Sequence, residues 1–255
     1  MHTLSRVITV IVFLTFCMRA GATDLYFVTE SFAPFTYEED GRAAGPFADV
    51  VRFVCANIKA DCKIDVFPWR RALLLAKSGE ADAIFTLLVT PERAHEFNLS
   101  APIIESSYAL YALQESKFIY KHEQDLAGHT IGVYGPSGTS ITLEKMVSNI
   151  HGVNVVSEID NARALRLLSI GAYGGEGLVM INHDVARFIL QKQNIKNLRE
   201  AANIGKAQYC IGFAKKTENA KYRKQFDQFN DELKVQISSG AVKAILDKYG
   251  MKAAK

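Results

Sequence analysis

Short apolar runs recur along the chain at residues 25–28, 81–88, 108–113, 130–134, 178–181 and 209–213, each bounded by glycine, proline or charge. Runs of this length, rich in Val, Ile, Leu, Phe and Tyr, predict buried strands. Between them the apolar positions take helical spacing. Pro68-Trp69 opens a helix whose face is Ala72, Leu73, Leu75 and Ala76, and Ser78-Gly79 closes it. Further helices are predicted over 46–55, 141–150, 162–169, 220–237 and 241–249. The long one carries Tyr222, Phe226, Phe229, Leu233 and Ile237 at spacings of three and four, one core-facing stripe. Strands alternating with helices predict an α/β protein. Glu38-Glu39-Asp40-Gly41 reads as a solvated hairpin turn.

The stretch 67–103 concentrates the chemistry. Its strand, 81–88, ends in Thr90-Pro91-Glu92-Arg93, where proline at the first helical position and glutamate in the first turn both suit a helix start. Arg93 does not, because the helix dipole disfavours a cation there. It therefore needs an anionic partner, either Glu96 nearby or a group from outside the chain. Arg70 and Arg71 meet the same mild penalty, either with one turned into a cleft or with both solvated or paired to Asp65. A second polar turn, Gly135-Pro136-Ser137-Gly138-Thr139-Ser140, precedes the helix at 141 and offers free N–H groups and hydroxyls to an anion. It lacks the lysine of a P-loop, and an ordinary helix cap is its bland alternative.

Composition narrows the class. Apolar residues make up 49% of the chain and charged residues 22%, enough for a large core. The net charge of +3 is partly that of the N-terminus and forms no basic block, which argues against a nucleic-acid partner. Residues 1–22 read as a secretory signal, with basic His2 and Arg6, an apolar run over 7–16 and Ala20-Gly21-Ala22 as the cleavage site. Arg19 cuts the run well short of the ~20 residues a membrane span needs. Phe16 before Cys17 argues against a lipoprotein, so an exported, periplasmic protein beginning near Thr23 is expected.

After processing Cys55, Cys62 and Cys210 remain. In an oxidising compartment the spacing of Cys55 and Cys62 permits a local disulfide, with two buried free thiols as the alternative. Cys210, in an apolar strand, reads as a core residue. Neither cysteines nor histidines show close metal-ligand spacing, and no cofactor is expected.

These motifs together resemble the family 3 extracytoplasmic solute-binding proteins, the polar amino-acid receptors of bacterial ABC importers, over nearly the whole mature chain. The resemblance implies a type II periplasmic-binding-protein fold: two lobes of mixed sheet flanked by helices, joined by a two-strand hinge. Lobe one would comprise residues 23–109 and 208–255, and lobe two residues 110–207. In that family the arginine of a T-x-x-R turn clamps the ligand carboxylate, which places Arg93 in that role. Thr86 and Leu88, on the strand before it, join the implied ligand set. The family's G-T-T turn corresponds to Gly138-Thr139-Ser140, with two residues inserted before it, so Thr139 and Ser140 are implied carboxylate ligands. The turn Glu30-Ser31-Phe32-Ala33-Pro34-Phe35 resembles a signature in which an aromatic stacks on the ligand. Phe32 and Trp69 are thus candidates to sandwich a cationic group, at about 0.5–2 kcal/mol each, with core aromatics as the alternative. Asp49 matches an acid that supports the family's fold, and a bridge of the Cys55–Cys62 spacing is frequent at this place.

One departure alters the expected ligand. The family holds the α-ammonium on an aspartate just after the strand at 178–181; here the register puts His183 at that point and Asp184 one residue later. The carboxylate clamp is intact while the ammonium partner is displaced, so an ordinary α-amino acid is not the automatic ligand. Glu30 or Asp184 could substitute, and Arg71 or Arg70 could help select the solute. The function implied is capture of a small carboxylate-bearing solute by hinge closure and its delivery, by a monomer, to an inner-membrane permease. Two alternatives stay open: a dehydratase on the same fold, using Glu30, His183 or Asp184 as acid or base, and a sensory ligand-binding protein.

Overall fold

The computed structural model describes residues 25–215 and 220–254. The expected signal segment lies outside them. The first half of the fold runs β1 (Leu25–Thr29), a hairpin of β2 (Tyr37–Glu39) and β3 (Arg42–Ala44), α1 (Pro46–Asn57), β4 (Cys62–Val66), α2 (Trp69–Ser78), β5 (Ala83–Leu88), α3 (Pro91–Glu96), β6 (Phe97–Leu99) and β7 (Ile104–Leu113). The second runs β8 (Thr130–Tyr134), α4 (Gly138–Val147), β9 (Asn154–Glu158), α5 (Asn161–Ser169), β10 (Leu178–Asn182), α6 (His183–Lys192) and β11 (Leu198–Ala214), and α7 (Ala220–Ser238) and α8 (Ala241–Asp247) follow.

One mixed sheet has the order β4-β1-β5-β11-β7-β10-β8-β9, with β6 also pairing β11. At one end β1 lies parallel to β4 and β5; at the other β8 lies parallel to β9 and β10. Parallel strands need helical crossovers and both faces covered, which is why the inner ones, β1, β5, β8 and β10, are mostly apolar. Antiparallel β7 and β11 join the two ends: Tyr209 pairs with Leu88 of β5 and with Ile104 of β7, and β7 goes on to pair with β10. Both are longer than the apolar runs at 108–113 and 209–213, since their added residues sit at the junction in sequence with no clear alternation. The edge strands β4 and β9 left no apolar run to find; each is half exposed.

Caps set the helix starts. Thr90 Oγ1 accepts from the N–H of Arg93 at 3.2 Å, and Pro91 stands at the first position of α3. The predicted stop at Ser78-Gly79 is formed, with Gly79 left-handed at φ 75°. Helix α4 starts three residues earlier than its apolar spacing suggests, because Ser137 and Ser140 form a reciprocal capping box. Cys55 and Cys62 are bonded across the end of α1, with Cα atoms 6.2 Å apart, and Cys210 is free and buried. Tyr249 donates to Asp49 at 2.6 Å, tying the C-terminal turn to α1. None of the described helices is long and apolar enough to cross a membrane.

Candidate functional site

In a sheet of this kind ligands bind beyond the carboxyl ends of the parallel strands, and the residues found there converge on one cavity. Glu30 follows β1, Trp69 follows β4, Leu88 ends β5, Tyr134 ends β8, Asn161 follows β9 and Asn182 ends β10. With Phe32, Thr86, Arg93, Ser137, Gly138, Thr139 and Tyr209 these line a cavity of about 30 Å³. That is room for little more than a water. It adjoins an outer cavity of about 380 Å³ that shares Glu30, Phe32, Tyr134 and Asn161.

The β1–β5 end supplies charge and aromatic rings. Arg93 is only 5% exposed. Its Nη1 donates to Glu96 Oε2 at 2.6 Å, and its guanidinium lies 5.8 Å from the centre of the Trp69 ring. Burial pushes the Glu96 carboxyl up, but hydrogen bonds from Lys77 and Arg93 outweigh it and hold the group below its ordinary range. Of the two alternatives its position left open, Arg93 has Glu96, and it also lines the cavity. Trp69 is also buried, and its Nε1–H has no hydrogen-bond partner among the described residues. Such an orphan is costly unless something else accepts it. Phe32 packs on Phe35 and Tyr209, with ring centres 5.5 and 5.8 Å away. Thr86 has φ 60°, which a β-branched residue rarely adopts. It lies where the pairing of β5 with β11 shifts register, a bulge that re-aims the chain beside the cavity. The Thr86 hydroxyl donates to the carbonyl of Phe85 at 2.5 Å.

The β8–β10 end supplies helix starts. Gly138 and Thr139 open α4, Asn161 opens α5, and Asn182 caps α6. A Cβ on Gly138 would stand 2.8 Å from Leu88 Cδ2, so glycine permits the two walls to meet. Tyr134 bridges them by donating to Glu30 Oε2 at 3.1 Å. Burial raises the Glu30 carboxyl to about 8, against the smaller opposing effect of that hydrogen bond. Burial likewise lifts the Tyr134 hydroxyl, with Glu30 adding to the rise and Arg70 opposing it.

Of the residues the sequence nominated, the cavity gathers Glu30, Phe32, Trp69, Thr86, Leu88, Arg93 and Thr139. Four others are engaged beside it. The Arg71 guanidinium lies over the Phe67 ring, 4.4 Å from its centre. Ser140 is buried in the capping box, its hydroxyl accepting from the N–H of Ser137 and donating to its carbonyl. His183 Nδ1 is 2.7 Å from Glu200, and Asp184 accepts from Ser106 at 2.5 Å. Ser137 and Gly138 come from the polar turn the sequence singled out for an anion, whereas Tyr134, Asn161, Asn182 and Tyr209 were not nominated. An asparagine directly after an apolar strand is an N-cap signal that could have found Asn182, but no helix is predicted from the sequence where α6 follows.

The model of the bacterial extracellular solute-binding proteins, family 3, matches residues 26–252. The chain belongs to that family. Among curated proteins it is similar to the arginine-binding periplasmic protein of Mannheimia haemolytica, at 26% identity over 247 residues, covering 91% of this chain and 93% of that one. Its fold matches a histidine kinase sensor domain similar to periplasmic binding proteins with a TM-score of 0.79, at 18% identity over 91% of this chain and 99% of the other. It also matches the arginine-, lysine-, histidine-binding protein ArtJ of Geobacillus stearothermophilus with a TM-score of 0.73, at 23% identity over 91% and 97%.

Proposed function

We propose that this family 3 protein works in the periplasm as a monomer, after loss of residues 1–22, capturing a small carboxylate-bearing solute and delivering it to an inner-membrane ABC permease. The lobes are residues 23–109 with 208–255, and residues 110–207. The observation that carries the reading is Arg93: a buried guanidinium, half satisfied by Glu96, lining a cavity opposite the first turn of α4. A carboxylate there accepts the planar fork of the arginine and the helix N–H groups together. Contacts to both lobes favour the closed state, with β7 and β11 as the hinge, and closure is the signal a permease reads.

The test is mass spectrometry of whatever co-purifies with the protein, followed by thermal shift. A ligand at 100 times its dissociation constant stabilises by about 2.7 kcal/mol. Loss of that shift in Arg93→Ala, with an unchanged melt of the free protein, supports the clamp; an equal shift in both proteins refutes it.

A further inference from the structure

The cavity has a second feature that bears on which carboxylic acid it accepts. An α-ammonium brings three N–H donors and a charge, and burying it demands acceptors. The side chain at the end of β10 offers none. Asn182 Oδ1 already accepts from the backbone N–H groups of Asp184 and Val185, at 2.9 and 3.1 Å. Its amide nitrogen donates to Ser106 Oγ at 3.0 Å and to the Tyr209 hydroxyl at 2.9 Å. Both lone pairs and both hydrogens of that amide are thus in use. Asp184 is held by Ser106 and His183 by Glu200, and neither lines the cavity.

The lining residues are instead rich in donors. They include Arg93, Thr139, Tyr209, whose hydroxyl proton is unspent after it accepts from Asn182, and Trp69, whose buried Nε1–H has no partner among the described residues. The wall opposite Arg93 consists of the starts of α4, α5 and α6, whose dipoles favour negative charge. Only Glu30 brings a carboxylate, and it is already engaged by Tyr134, with burial favouring its neutral form. The other acceptors among the lining side chains, the Asn161 amide and the hydroxyls of Thr86, Tyr134, Ser137, Thr139 and Tyr209, are uncharged and bring no negative charge to offset an ammonium.

Building on the carboxylate reading above, we propose that the solute is an acid carrying an acceptor oxygen where an amino acid carries its ammonium: a 2-oxo acid or a dicarboxylic acid. The spent amide of Asn182 excludes the ammonium, and Tyr209, Trp69 and the helix starts meet the oxygen.

Calorimetry on the mature protein with matched probes tests this: L-glutamate against 2-oxoglutarate and glutarate, L-arginine against 5-guanidino-2-oxopentanoate, and L-phenylalanine against phenylpyruvate. The ammonium-free member of at least one set should bind about tenfold tighter or more than its amino acid. Asn182→Asp keeps a good helix cap while adding a carboxylate, and it should reverse that preference. An amino acid that equals or outbinds its ammonium-free partners overturns the inference while leaving the carboxylate clamp standing. If no acid of any set binds, with or without an ammonium, the carboxylate reading falls and the inference with it.

Discussion

The two walls of the cleft are built on different principles. The wall from the β1–β5 end works through side chains: a buried guanidinium, an indole, a phenyl ring and a carboxylate. The wall from the β8–β10 end works largely through backbone and caps, with Gly138, Asn161 and Asn182 each at the start of a helix. The first wall can change its chemistry by substitution without touching the sheet. The second cannot, because its polar groups also terminate helices. Substitutions on the two walls should therefore fail in different ways, and the largest difference comes from Arg93.

Arg93→Ala should cost about 2–5 kcal/mol of ligand binding, as for a buried charge pair truncated on one side. The effect on folding should be smaller, since Glu96 keeps Lys77. A titration with affinity close to that of the unaltered protein would reduce Arg93 to a structural cation. The counterpart on the other wall is Asn182→Ala, which removes the α6 cap and strips partners from Ser106 and Tyr209. Lost caps cost about 0.5–2 kcal/mol and stranded buried polar groups about 1–3 kcal/mol. Chemical denaturation should register that loss in the free protein, before any ligand is added. An unchanged unfolding midpoint would erase the distinction between the walls.

The same contrast explains what the sequence made legible. Arg93 stood out because a cation in the first turn of a helix contradicts the dipole. Trp69 and Phe32 came in through the family resemblance, as aromatics able to stack on a ligand. The bulge at Thr86 could not be read, because nothing in Phe85-Thr86-Leu87 announces a positive φ at a β-branched residue; only pairing with β11 imposes it. On the other wall the expected ammonium register fell on His183 and Asp184. Asn182 faces the cavity instead, since the strand ends on it and its side chain turns back to cap the helix. Tyr209 was legible as strand and illegible as site: it becomes a site residue only where β11 passes from β7 to β5.

Contact between the walls is tested at Gly138. In Gly138→Ala the new methyl would stand 2.8 to 2.9 Å from the Leu88 side chain in this structure, and the proposed closure presses the two walls together there. Overpacking of this kind costs about 1–3 kcal/mol in a tight core, and here Leu88 can give, so about 1 kcal/mol of binding should be lost. Leu88→Ala should restore binding in the double variant. Failure of that rescue would place the clash somewhere other than between the walls.

A test of a different kind is the pH dependence of Glu30, the carboxylate that joins one wall to the other through Tyr134. Burial raises its folded-state value from 4.5 to about 8, and the unfolded chain keeps the lower one. Between those limits the folded protein holds a proton that the unfolded chain releases, so stability falls as pH rises. The contribution is whole below about 4.5 and is lost by the time the pH has passed through about 8. Glu30→Gln cannot ionise and keeps an acceptor for Tyr134. Its melting temperature should match that of the unaltered protein near pH 5 and exceed it near pH 8.5, with the gap opening across the window. A constant gap would mean that Glu30 is an ordinary ionised carboxylate at neutral pH. The first wall would then carry a fixed negative charge beside Arg93, and the cleft would have a place for a cation after all.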